Sequence, residues 1–186
     1  HECGHAFQGY LSGMDPIREH AEITMETAEI HSMSMEFFTN PWMEDFFEER
    51  YKDFLNMQLE DAVIFIPYGT MVDEFQHMIY ENPDMTPKQR HETWRKLEEE
   101  YRPYLSYEDS FFDEGRIWQK QRHIYMSPFY YIDYVLAQIC AFQYKIWMDE
   151  NYEEAWRSYL ELCRLSASDF YGNMLKKVGL KVPFEE

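Results

Sequence analysis

Five residues constrain this chain more than any other stretch: His1-Glu2-Cys3-Gly4-His5, an HExxH motif. It demands a helix, because only there do positions i and i+4 share a face about one turn apart. Two imidazoles so placed can bind one Zn²⁺, with the glutamate after the first His beside the metal's open position. That Glu2 can take a proton from a water as the water attacks a carbonyl, which is metal-assisted hydrolysis. Gly4 is a poor helix residue, worth about 1 kcal/mol less than Ala, so a packing or catalytic reason for it is expected.

A catalytic zinc needs a third protein ligand. Candidates follow in the run from Ala21 to Glu36: Glu22, Glu26 and Glu29 at helical steps of four and three, with Glu36 seven further on. Met25, Met33 and Met35 sit among these carboxylates, which suits a buried site better than a wet face. A second helix crossing the first would deliver one of the four. Cys3 is not a candidate, since its position turns it about 200° around the helix from His1.

The segment HECGHAFQ, followed by Glu29-Ile30-His31-Ser32-Met33-Ser34-Met35-Glu36, resembles the thimet oligopeptidase/oligoendopeptidase F family of zinc metallopeptidases. Further likeness lies at Val72-Asp73-Glu74-Phe75-Gln76-His77, at 122–134 and around Asp169-Phe170-Tyr171-Gly172. It covers nearly the whole chain and is most similar to the shorter bacterial oligoendopeptidases. The resemblance implies an all-α, zincin-like catalytic domain holding one Zn²⁺ through His1, His5 and Glu29, with Glu2 as general base. Glu36 is then expected to orient one of the ligand histidines. Short peptides would be the substrates. The chain, residues 1–186, reads as the C-terminal part of a longer metallopeptidase catalytic domain whose N-terminal part supplies a wall of the cleft.

Tyr130 and Tyr134 stand one turn apart near a helix start, after Ser127-Pro128 as cap and first turn. A phenol aimed at the metal would stabilise the oxyanion of a tetrahedral intermediate. In the resembled family, tyrosines and a histidine of this segment bind substrate and stabilise the transition state. That adds His123 to the catalytic candidates, with Tyr125 competing for the upstream position. Tyr131, turned about 100° from Tyr130, is expected to pack elsewhere.

Two rival readings use other residues. Glu2-xx-His5 and Glu74-xx-His77, with Glu29 and Glu100, suggest a di-iron carboxylate four-helix bundle with oxidoreductase chemistry. That reading leaves His1 idle. The other rival is a non-catalytic helical interaction module. His31 is expected beside the ligands or at the surface rather than as a ligand.

A net charge of −18 argues against nucleic-acid partners. The apolar stretch 129–148 contains Asp133, Gln138, Gln143 and Lys145, so a buried helix is expected there and no membrane span. Cys3, Cys140 and Cys163 are read as free buried thiols in a reducing cytoplasm. Helices are expected over 44–64, 72–80, 86–101, 129–150, 152–165 and 168–178, with 103–128 the main loop region. Residues 62–66 could alternatively form a short strand ended by Pro67.

Overall fold

The computed structural model describes residues 1–165 and 167–185. Among them every regular element is helical, as the sequence leads one to expect. The longer elements are α1 (Glu2–Ser12), α2 (Met25–Phe38), α3 (Met43–Phe47), α4 (Tyr51–Glu81), α5 (Pro87–Tyr101), α6 (His123–Met126), α7 (Tyr131–Leu165) and α8 (Tyr171–Lys177). They divide into two compact units: His1–Glu60 with Leu136–Glu186, and Asp61–Val135.

In the first unit, α1 and α2 pack together, and the core is unusually aromatic. Phe38 of α2 meets the rings of Tyr144, Tyr152, Trp156 and Tyr159 at 4.9–5.8 Å. Two of these phenols also donate hydrogen bonds to α2 carbonyls: Tyr152 to Phe38 O and Tyr159 to His31 O, both at 2.9 Å. The aromatic layer therefore supplies apolar burial and also satisfies backbone groups that packing would otherwise strand. Asn151, at φ −154° and ψ 90°, breaks the helical path inside α7, at the joint expected between 129–150 and 152–165. Gly179 ends the α8 region at φ 84°, a conformation glycine tolerates at a helix C-terminus.

In the second unit, Met71, Val72, Phe75, Trp94, Leu97, Trp118 and Ile124 form the core. Helix α5 begins with a full capping box. The Gln89 amide donates to the Thr86 hydroxyl at 3.3 Å, and the Thr86 amide donates back to Gln89 Oε1 at 2.8 Å. Pro87 follows at the first turn, as expected from Thr86-Pro87.

The structure corrects three expectations. First, α4 runs unbroken from 51 to 81 with Pro67 inside it, so 62–66 is helical and 72–80 is no separate helix. A proline removes one amide donor and leaves the Val63 carbonyl unclaimed. Val63 is exposed, so water can satisfy that group, while packing of Met71, Val72 and Phe75 holds the rest. Second, the helix expected over 44–64 is interrupted at Glu48, which has φ 50°. Third, Cys3 is exposed; Cys140 and Cys163 are buried, and all three are free.

Candidate metal centre

The first unit brings the two ends of the HExxH motif onto α2. His1 is the N-cap of α1, and His5 lies one turn into the helix. Their rings stand edge to face at 5.1 Å between centroids. Gly4 explains how a carboxylate reaches them. A Cβ built at this position would lie 2.6 Å from His31 O and 2.6 Å from Ser32 Cα, far inside contact distance. Glycine therefore lets the α1 backbone rest directly on the α2 backbone. This is the packing reason expected for a helix-weakening residue inside the motif.

That approach sets Glu29 beneath both imidazoles. Glu29 Oε2 is 3.3 Å from His1 Nε2 and 3.6 Å from His5 Nε2. One donor atom from each of the three residues falls within 4.8 Å of the other two, and this is the metal-competent group found among the described residues. Glu29 is 4% exposed at its side chain, whereas His1 and His5 are 34% and 31% exposed. The cluster thus has a buried carboxyl floor and half-open imidazole donors. The Ser32 hydroxyl, one turn on, lies 3.1 Å from Glu29 Oε2 and 3.0 Å from Glu29's own carbonyl, which restrains the carboxylate's rotation.

Glu36 takes the other side of His1. Its Oε1 is 2.7 Å from His1 Nδ1, so with the proton on Nδ1 the Nε2 lone pair is left facing Glu29. Burial raises the Glu36 carboxyl pKa. Glu22 lies outside α2 and is exposed, and neither it nor Glu26 joins the cluster. Glu2 is exposed and outside the cluster, as is Cys3.

His31 lies near His5, one of the two placements expected for it, and not at the surface or among the ligands. It is fully buried, and burial, then the nearby His5, lowers its pKa to about 3, so the ring is a neutral core residue. The second ExxH pair does not build a metal site either: Glu74 accepts a hydrogen bond from Tyr101 at 2.5 Å, and His77 faces Asp73 at 3.4 Å.

His123, Tyr130 and Tyr134 belong to the second unit and cluster there. Tyr130 and Tyr134 are 4.9 Å apart between ring centroids, and His123 is 6.0 Å from Tyr130 and 5.7 Å from Tyr134. Tyr131, expected to pack elsewhere, meets Phe65 and Tyr68 at 5.8 and 5.9 Å but also joins the cluster, 4.9 Å from His123 and 5.4 Å from Tyr134. Tyr125 is exposed and stacks on Trp118 at 5.8 Å. The segment leading into α7 differs from the expected Ser127-Pro128 cap. The helix starts at Tyr131, after Phe129 takes a left-handed φ of 63°. The buried Gln76 accepts the Phe129 amide at 2.8 Å, and the Phe129 ring sits 4.9 Å from His77 and from Tyr80. These contacts hold a conformation that a bulky residue rarely adopts.

Two residues that sequence reasoning did not single out complete this picture. Ser32 was visible as the serine of the ExxS pattern, although no role was attached to it. Gln121 contacts His123 at 2.6 Å, but the irregular backbone between them leaves no periodicity that would reveal the pair.

Comparison with known proteins follows the same line. Residues 1–186 match the model of peptidase family M3. The solved structure of PZ peptidase A with an inhibitor superposes with a TM-score of 0.95 at 49% identity, covering 98% of this chain and 33% of that one. A protein assigned as oligoendopeptidase F gives 0.96 at 51% identity, covering 99% and 33%. Another such assignment, from Bacillus anthracis str. Ames, gives 0.83 at 43% identity, covering 98% and 30%. The chain thus spans about a third of the length of these solved relatives. No curated protein matches it. The all-α, zincin-like architecture is shared with these structures, and the chain belongs to peptidase family M3.

Proposed function

We propose that this chain carries the zinc site of a metalloendopeptidase that cleaves short peptides. The observation that carries the reading is the convergence of His1, His5 and Glu29 onto one point. Two imidazole nitrogens and one carboxylate oxygen, half open on the imidazole side, are the donor set of a catalytic zinc with a vacant position. When bound there, zinc supplies Lewis-acid chemistry that polarises a carbonyl and makes a water acidic near neutral pH.

The remaining steps belong to the chain's own side chains. Glu29 provides the anionic ligand and Ser32 restrains it. Glu36 fixes His1 with Nε2 directed inward. Glu2, on the solvent side of the same helix, takes a proton from the attacking water and delivers it to the leaving amine. Tyr130 or Tyr134, with His123 nearby, donates a hydrogen bond to the oxygen that gains charge. Short peptides as substrates accord with the relatives' designation as oligoendopeptidases. A cytoplasmic setting accords with three free cysteines, and among the described residues no helix is long and apolar enough to cross a membrane.

Metal analysis of the full-length protein, combined with a peptide-library assay with and without chelator, tests this reading. One zinc per chain is expected, with activity lost to chelator and regained on adding zinc. Two irons per chain, or peptide cleavage indifferent to chelation, would overturn it.

A further inference from the structure

The contact between Gln121 and His123 has chemical content beyond packing. Gln121 Nε2 lies 2.6 Å from His123 Nδ1. At the other end of the same amide, the Tyr68 hydroxyl donates to Gln121 Oε1 at 2.8 Å. A carboxamide nitrogen offers protons and no lone pair, so the Nδ1 facing it must accept. An imidazole that accepts at Nδ1 carries its proton on Nε2.

The alternative is a reversed amide, with oxygen toward His123 and a proton on Nδ1. In the structure the amide oxygen faces Tyr68, whose hydroxyl donates to it. Tyr68 is itself held in place, its ring packed against Trp94 and Tyr131 at 6.4 and 5.9 Å and covered by the Arg102 guanidinium at 5.0 Å. Nitrogen toward His123 and oxygen toward Tyr68 match both contacts of the amide.

We propose that Gln121 is a positioning residue that fixes neutral His123 as the Nε2–H tautomer, so that this ring serves the reaction as a hydrogen-bond donor and not as a base. This rests on the reading above that His123 assists peptide hydrolysis. The division of labour is chemically coherent. Glu2 handles the proton of the water, and a histidine held as a donor near Tyr130 and Tyr134 can only add to stabilisation of the oxyanion.

The test is the tautomer itself. In full-length protein labelled with ¹⁵N-histidine, long-range ¹⁵N–¹H correlation at a pH where the ring is neutral reads which nitrogen holds the proton. His123→Asn identifies the signal. Wild type should show Nε2 protonated and Nδ1 bare. Gln121→Glu replaces the donor by an acceptor and should move the proton to Nδ1. Gln121→Met, of similar size and unable to hydrogen-bond in this way, should give the averaged shifts of an unconstrained imidazole while the fold stays intact. In Gln121→Glu, kcat should fall on the order of tenfold or more with little change in KM, since the lost interaction is made in the transition state. A wild-type Nδ1–H, or a tautomer indifferent to Gln121→Glu, overturns the assignment. A switched tautomer with unchanged kcat overturns the positioning role. Full activity of Glu2→Gln would instead defeat the peptidase mechanism and leave the tautomer result standing.

Discussion

The two clusters of candidate functional side chains in this chain are built by opposite means. In the first unit, regular helices do the positioning. His1 and His5 are one turn apart on α1, Glu29 and Ser32 are one turn apart on α2, and Gly4 sets the distance between the two backbones. In the second unit, His123 follows a 3₁₀ turn, and Tyr130 follows a left-handed Phe129. Side-chain amides, Gln121 and Gln76, hold that irregular backbone and its rings in place. A helical site is fixed by backbone periodicity and tolerates only changes that leave the helix contact intact. A site on irregular backbone depends on individual hydrogen bonds, each replaceable and each separately testable.

The largest effect should come from the helical site. Glu2→Gln removes the base without touching a ligand, so turnover should drop by about 10²–10⁴-fold with zinc content unchanged. Elemental analysis beside the peptide assay checks both halves; loss of zinc would mean that Glu2 is a ligand.

The irregular site should come next. Tyr130→Phe or Tyr134→Phe should lower kcat on the order of 10²–10³-fold if that phenol serves the oxyanion, with KM much less affected. Tyr131→Phe is the comparison: its ring packs against Phe65 and Tyr68 and also stands 4.9 Å from His123, and a smaller loss than at Tyr130 or Tyr134 is expected. Equal behaviour of all three would reduce the tyrosines to packing and return attention to His123 and Tyr125.

Glu36→Ala probes the support behind a helical ligand. Losing the partner of His1 Nδ1 should weaken zinc affinity by roughly 10–100-fold, read by competition with a chelator. Unaltered affinity would show that α1 alone orients His1.

The smallest effect, in stability, is expected for Gly4→Ala. The added methyl meets the His31 and Ser32 backbone, so α1 must move off α2 at a cost of about 1–3 kcal/mol, despite Ala's better helix propensity. Thermal unfolding with and without zinc would show it. A stabilised variant would mean that the two helices separate easily and that the contact does not place Glu29.

How far these features were legible depended on whether they are periodic. The i, i+4 histidines, the helical register of Glu26, Glu29 and Glu36 (though not of Glu22), the Thr86-Pro87 start of α5 and the joint at Asn151 are local rules written in adjacent residues, and the structure follows them. Pro67 was misleading because a proline acts locally, whereas the burial of Met71, Val72 and Phe75 that keeps α4 continuous comes from partners distant in sequence. For His31 the sequence left two places open, beside the ligands or at the surface, and the packing of α1 and of Tyr159 on α2 encloses it near His5.

By itself the sequence determined the helical class, the one-turn spacing of His1 and His5 and a short set of carboxylates that could join them. Helical periodicity alone did not choose among Glu22, Glu26, Glu29 and Glu36; the family resemblance pointed to Glu29. The tertiary structure supplies the physical ground for that choice, since Gly4 lets α1 descend onto α2 where Glu29 alone of the four meets both imidazoles. The tertiary structure also decided the orientation of the Gln121 amide. Its partners Tyr68 and His123 meet only after folding, and a hydrogen-bond direction is a property of the assembled network, not of any one residue in it.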